Sequence, residues 1–330
     1  LIKFAYSPYT MTPIAHLNSA MNIGDRKGAL LKLQWPDGLI GYSDLHPWPE
    51  LGDDSLDKQI SDLKRGRLTP MVEQSIWLAR RDAVARRDKK NLLDTTIRLK
   101  NNFIISDIGS VQTGLFDELR KEGFTQIKLK VGKDLEKERD FVTLCASAGF
   151  KLRLDFNSSG NWQIFEKFFT GIPKSAMPAI DYVEDPFGYD PLSWTEARKL
   201  VKVAIDHEYP KVDWANMKKP AFDVVIVKPA KMDVTQALDR CFQFQVQATI
   251  TSYMDHPVGM VHALAVANEF KKNYGDLLLN PGCMTYRLFK MDAFAAELQT
   301  QGPYIVKAPG YGVGFDKLLE SQPWQPLLLR

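Results

Sequence analysis

Two lysines, Lys128 and Lys130, lie two residues apart in the stretch QIKLKVGKD. The stretch alternates as a β-strand does, with Ile127, Leu129 and Val131 on one face and the lysines on the other. Adjacent ammonium groups repel and lose hydration, so the fold must supply compensating charge. Carboxylates at comparable positions further along offer it: Asp155 in KLRLDFN, Glu184 in DYVEDP and Asp206 in VKVAIDH. A third lysine, Lys228, ends DVVIVKP. By the period-two rule Asp155 shares a face with Arg153 and Asn157, Glu184 with Tyr182, Asp206 with Ala204, and Lys228 with Ile226 and Val224.

If these faces point inward, one mouth collects three carboxylates flanked by lysines. Three hard oxygen ligands around one centre suit Mg2+ better than zinc. The five histidines show no metal-ligand spacing, and His207 and His256 read as loop or capping residues. A lysine close to a cation and to a second lysine has a lowered pKa, which makes it a usable base near neutrality. A cation opposite it can hold a substrate carboxylate and stabilise the negative charge left when a carbon-bound proton departs. The reaction class this implies is proton abstraction next to a carboxylate.

Such groups converge only if the elements carrying them repeat. Strand-like segments recur from about Asn101: FIISD, QIKLKVG, KLRLDFN, DYVEDP, VKVAIDH, DVVIVKP, ATITSYM and LLLNPG. Their ends fall at Lys130, Asp155, Glu184, Asp206, Lys228 and Ser252, a repeat of 22 to 29 residues with helical segments between most of them. Eight such units predict an α/β fold of the (β/α)8 barrel type, with the site at the carboxyl ends of the strands. An open doubly wound sheet fits less well, because no glycine-rich phosphate loop follows the first strand. The stretch EYPKVDWANMKKPAF is a poor helix, so irregularity is expected there.

The first hundred residues differ. A hairpin signal at Pro36-Asp37-Gly38 precedes two helix-like stretches, which predicts an α+β unit over residues 1–98 ahead of a barrel over 99–302. The glycine-rich tail, about 303–330, is expected to return to that first unit. The formal charge of +3, without a basic run, gives no electrostatic support for nucleic-acid binding. Three scattered cysteines (Cys145, Cys241, Cys283) read as reduced thiols. No apolar run reaches membrane-spanning length and no signal-peptide pattern opens the chain, so a cytoplasmic protein is expected.

Taken together, Lys-x-Lys, Asp-x-Asn, Glu-Asp-Pro, the aspartate ending the fifth strand and Lys-Pro resemble the enolase superfamily, and more narrowly its muconate-lactonising branch. The resemblance covers nearly the whole chain: GLIGYSDLHPWPELGD is similar to that branch's N-terminal capping domain and APGYGVGFD to its C-terminal return. LDFNSSGNW, YVEDPF, IVKPA and TITSYMDHPVGMVHALA bring it nearest to a dehydratase of that branch. The resemblance implies a modified TIM barrel with a capping domain, and Mg2+, with Mn2+ as a substitute, on Asp155, Glu184 and Asp206. It implies Lys130 as the base, Lys228 as electrostatic stabiliser of an enediolate, and Lys128 as the group that orients the carboxylate and depresses Lys130. Asn157, Thr251 and Ser252 are the implied substrate contacts.

The implied activity is that of a carbon–oxygen lyase: syn dehydration of a hydroxycyclohexadiene carboxylate in menaquinone biosynthesis. N-acylamino acid racemase, dipeptide epimerase and muconate cycloisomerase are the alternatives within the branch. Absence of an Asp-x-Asp in LLLNPGCMT counts against the epimerases, and Lys228 counts against acid-sugar dehydratases of the mandelate-racemase branch. A Schiff-base aldolase would leave the three carboxylates unexplained. The expected partner is a small-molecule carboxylate, with no nucleic acid and no membrane; self-association is left open. Two further positions are also open. Glu208 shares parity with Asp206, and Arg26, near the loop-like MNIGDRKG, is read either as reaching the substrate or as a surface residue.

Overall fold

Alternating apolar residues near the start of the chain fold into an antiparallel sheet. The structure, a computed structural model, describes residues 1–14, 17, 24–93 and 96–328; the first part of MNIGDRKG lies outside them. Strands β1 (Lys3–Met11), β2 (Arg26–Gln34) and β3 (Ile40–Leu45) pair in sequence. The predicted hairpin joins β2 to β3: Trp35 N–H donates to the Leu39 carbonyl at 2.9 Å, and Gly38 takes the left-handed φ of +83° that the turn requires. Two helices, Leu56–Lys64 and Pro70–Arg87, cover one face of this sheet. The second begins with the Thr69 hydroxyl accepting from Val72 N–H and with Pro70 in its first turn. It lies so close to β3 that a Cβ on Gly41 would stand 1.9 Å from the Ala79 carbonyl oxygen.

The parallel sheet follows as β4 (Phe103–Ile105), β5 (Gln126–Lys130), β6 (Lys151–Asp155), β7 (Ile180–Glu184), β8 (Val203–Ile205), β9 (Val224–Val227) and β10 (Gln247–Ile250), each beside its sequence neighbour. Their outward faces (Ile127, Leu129, Leu152, Leu154, Val183, Val203, Val225, Val227) join the main core under the surrounding helices. Their inward faces include a small apolar cluster of Tyr182, Ala204, Val224 and Ile226. This is the face assignment that strand periodicity predicts.

One expectation of regularity fails, and one expected irregularity is present. The segment LLLNPG forms no ladder and contributes single bridges at Leu278 and Gly282 to residues 248 and 251, so the sheet has seven strands rather than eight. Pro281 has no N–H to donate, and the Asn280 carbonyl accepts from Arg153 Nη1 at 2.7 Å instead of from a strand. Buried Arg153 also donates to Asn102 Oδ1 and pairs with Asp181, closing the barrel by side chains where the ladder stops. Between β8 and β9 only a single 3-10 turn, Tyr209–Lys211, appears, in keeping with the poor helical pattern there.

After the short hairpin of β11 (Gln299–Gln301) and β12 (Tyr304–Lys307), the chain runs back to the first sheet. There β13 (Gln325–Leu327) pairs antiparallel with Phe4–Tyr6 of β1. Buried Asp82 accepts from Tyr42 N–H and Val313 N–H and pairs with Arg86, tying helix, sheet and tail together. Among the described residues no helix is long and apolar enough to cross a membrane.

Candidate active site

Backbone register decides which charges meet. Lys130, Asp155, Glu184 and Ala204 are directly opposed across β5 to β8, so the first three end their strands in one row. Lys128, Arg153 and Tyr182 form the row beneath. Asp206 comes two residues after Ala204, its own and His207's backbone N–H held by the carboxylate of Asp185 at 2.9 and 2.7 Å. Asp185 is buried at a positive φ of 41°, so the Glu-Asp-Pro turn is shaped to fix the next strand's end.

All nine residues predicted for the site line one cleft of roughly 630 Å³, counting its open mouth: Lys128, Lys130, Asp155, Asn157, Glu184, Asp206, Lys228, Thr251 and Ser252. Lys128 sits between two carboxylates, with Nζ 2.7 Å from both oxygens of Glu184 and 2.9 Å from Asp155. Lys228 binds Asp206. Lys130, one strand step beyond Lys128, is in no ion pair among the described residues. Asn157 stands at a left-handed φ of 49°, a conformation asparagine tolerates well, and its N–H donates to Asp155. Ser252 shares a 2.7 Å hydrogen bond with Thr285, while the buried Thr251 hydroxyl has no partner.

The environments separate the two lysines of β5. Burial alone would lower Lys128, but the charges of Asp155 and Glu184 outweigh it and hold the ammonium well above its ordinary range. For Lys130 burial wins, helped by the nearby positive charges of Lys128 and Lys228, and its pKa is lowered. Burial and neighbouring Asp155 push Glu184 up to about 8, whereas Asp206 is held low because the lysines around it overcome burial.

The donor set fits a divalent cation by charge. Three carboxylates face two tightly paired ammonium groups and a third lysine whose pKa burial lowers, and burial with the charge of Asp155 pushes Glu184 up to about 8. As the side chains stand, lysines fill the space between the acids. No three His, Cys, Asp or Glu among the described residues converge on one point. Cation binding therefore requires Lys128 and Lys228 to release their carboxylates.

Two open positions are resolved. Glu208 turns away, accepting from Tyr189 N–H at 2.7 Å and pairing with Ser158 and Lys211. Arg26 is neither a surface residue nor part of the cleft lining: it is buried with its guanidinium 3.7 Å over Trp48, bonded to Glu50 and to the Pro47 carbonyl. His256 caps the helix Pro257–Tyr274 and His207 lines the cleft 3.5 Å from Asp206. Sequence periodicity missed the opposite wall: Leu17, Trp48, Leu51, Ile104, Tyr253 and Met254 form an apolar roof above the charged floor. Ile104 comes from β4, opposite Lys128, and loops bring the others there.

A parallel barrel with charged strand ends under an antiparallel cap is the fold of solved members of the enolase superfamily, among them one from Roseovarius nubinhibens. A muconate lactonizing enzyme from Mycobacterium smegmatis, complexed with muconolactone, superposes with a TM-score of 0.80 at 14% identity, over 97% of this chain and 98% of that one. A dipeptide epimerase from Cytophaga hutchinsonii, complexed with Mg and a dipeptide, gives 0.74 at 14% identity over 98% and 99%. At those identities the likeness is one of fold. Residues 4–85 match the family described as "O-succinylbenzoate synthase, N-terminal domain". The o-succinylbenzoate synthase of Bdellovibrio bacteriovorus is 52% identical over 330 residues, the full length of both chains. The chain belongs to the o-succinylbenzoate synthase family, whose members are carbon–oxygen lyases.

Proposed function

We propose that the cleft performs the family's reaction, dehydrating 2-succinyl-6-hydroxy-2,4-cyclohexadiene-1-carboxylate to o-succinylbenzoate with Lys130 as the single acid–base group. The supporting observation is the contrast on β5: of two lysines two residues apart, only Lys130 is unpaired and shifted toward the neutral amine. Neutral Lys130 takes the proton α to the ring carboxylate, and the electron pair moves into that carboxylate. Lys130, now an ammonium, gives the proton to the hydroxyl leaving from the same face. The enediolate pair returns to form the C1–C6 double bond as the C6–O bond breaks, the hydroxyl departs as water and the ring becomes aromatic. Lys228 offsets the enediolate charge, and Lys128 orients the carboxylate while keeping Lys130 low.

Asp155, Glu184 and Asp206 would hold Mg2+, or Mn2+ in its place; such a cation supplies positive charge to the substrate carboxylate as it becomes an enediolate. The unpartnered Thr251 hydroxyl, Ser252 and Asn157 are suited to hydrogen-bond the substrate's polar arms. In this reading residues 1–98 with about 303–330 form the cap, and residues 99–302 the catalytic barrel. The three cysteines, all free and buried, suit a reducing compartment such as the cytoplasm.

The test is spectroscopic. Purified chain with Mg2+ should consume the diene absorbance of the substrate rapidly, and EDTA should stop it. Loss unaffected by EDTA would remove the cation from the reading. No loss at all would redirect the lysine pair to racemisation, measured by deuterium exchange at the α-carbon of N-acylamino acids.

A further inference from the structure

The roof of the cleft is held by two charged residues, Asp53 and Lys231, that do not themselves line it. Past the end of β3 the chain crosses the mouth as Trp48, the short turn Pro49–Leu51, Gly52 at a left-handed φ of 89°, and Asp53. Trp48 and Leu51 face the cleft; Asp53 does not. Both oxygens of the Asp53 carboxylate are committed. Oδ2 accepts from Trp48 N–H at 2.9 Å and from the Tyr253 hydroxyl at 2.9 Å, and Oδ1 pairs with Lys231 at 2.9 Å. Its side chain is only 7% exposed, so these are charge-assisted contacts largely shielded from water.

The other half of the cluster belongs to the parallel sheet. Lys231 follows Lys228 by one turn, its N–H bonded to the Lys228 carbonyl at 2.9 Å, and its ammonium also reaches the Tyr253 hydroxyl at 3.1 Å. Tyr253 stands directly after Ser252 and lines the cleft. Its carbonyl accepts the Trp48 indole N–H at 3.0 Å, and its ring lies 5.3 Å from the Lys228 ammonium and 5.0 Å from that of Lys231. Arg26 presses on Trp48 from outside.

We propose that Asp53 and Lys231 are positioning residues: an ion-paired latch between cap and barrel that sets Trp48, Leu51 and Tyr253 over the substrate ring and so governs which ring-bearing substrate is accepted. The assignment rests on the cleft being the place of turnover. The side chains of the latch bond to the apolar wall and to no carboxylate or ammonium of the floor, so its loss acts on substrate binding more than on the chemical step.

Steady-state kinetics of the full-length chain tests this. Asp53→Ala and Lys231→Met should each raise KM about tenfold while kcat stays within about threefold. The double variant should be no worse than either single, because each breaks the same unit. Lys231→Arg, which keeps the charge, should restore most of the loss. KM unchanged in both single variants, or KM effects that multiply in the double variant, would overturn the latch. Parallel falls in kcat and thermal midpoint without rescue by Lys231→Arg would overturn it too, as a merely structural tie. If Lys130→Ala remains active, the reading of the cleft itself fails; if Lys130→Ala is inactive and the Asp53 variants bind normally, only the latch does.

Discussion

The floor and the roof of the cleft are built by different means. Floor residues stand at the ends of β5 to β9 or just past them, placed by hydrogen-bonded ladders whose register admits no half-steps. Apart from Ile104 of β4, roof residues come from connecting segments, and side chains hold them: Arg26 on Trp48, Asp53 on Lys231 and Tyr253, the Trp48 indole on a carbonyl. The floor is charged and the roof apolar. Proton transfer depends on atoms held to a fraction of an ångström, which a parallel ladder provides. Choosing a substrate depends on shape, which loops can vary without disturbing that ladder.

The largest expected effect lies on the floor. Lys130→Ala should lower kcat by about 10³- to 10⁴-fold while circular dichroism and cation binding stay unchanged; substantial turnover in that variant would make another group the base. If Asp155, Glu184 and Asp206 hold the cation as proposed, Glu184→Gln should weaken Mg2+ binding by at least about tenfold in calorimetry, since it removes one of three carboxylates. Equal affinity would take Glu184 off the ligand set.

The pH profile sharpens the contrast within the floor. With Lys130 as the proposed base, kcat/KM should rise with pH along a limb below the ordinary lysine range, burial being the main cause of the lowered pKa. Lys128→Met removes a neighbouring positive charge and frees Asp155 and Glu184, and both changes favour the Lys130 ammonium. The limb should move up by about one pH unit. A shift in the other direction would contradict the arrangement of charges described above.

The smallest effect is in the support of the roof. Asp255 accepts from Tyr253 N–H, and its carboxyl, buried against Asp44, is pushed up to about 7. Gly259 permits this approach: a Cβ there would stand 2.7 Å from the Asp255 Cβ and 2.8 Å from Asp44 Oδ2. An unfolded aspartate titrates near 3.9, so from about pH 4 to 7 the native chain keeps a proton that the unfolded chain has released. Stability falls as pH rises through that window. Asp255→Asn keeps the acceptor for Tyr253 and should flatten the fall, raising the thermal midpoint above pH 7 by a few degrees, roughly, and less at lower pH. Parallel curves for variant and parent would place the proton elsewhere.

The same division governs what could be read from the residues alone. Lys128, Lys130, Asp155, Glu184 and Lys228 announce themselves because strand periodicity assigns a face and the repeat assigns an end. Asp206 needs Asp185 to settle its direction over Glu208, a contact across strands that no local pattern contains. The eighth strand misleads: its leucines look strand-like, yet Pro281 cannot complete a ladder and the Asn280 carbonyl is taken by Arg153. Trp48 and Leu51 lie in segments without periodicity and Tyr253 just past the end of β10, where long-range contacts decide direction. Arg26 looked exposed or catalytic because a lone arginine near a loop gives no sign of the indole beneath it.

The pairing of β13 with β1 has a consequence for how the molecule is made. The Ser7 hydroxyl donates to Gln322, a residue 315 positions later, and Phe4 waits for Leu327. On a ribosome, every strand of the parallel sheet has been synthesised before the first sheet can gain its outer member. Until then β1 carries a bare edge of backbone donors and acceptors, the feature by which nascent chains adhere to one another. Among the described strands, β1 is thus synthesised before the others and enclosed after them.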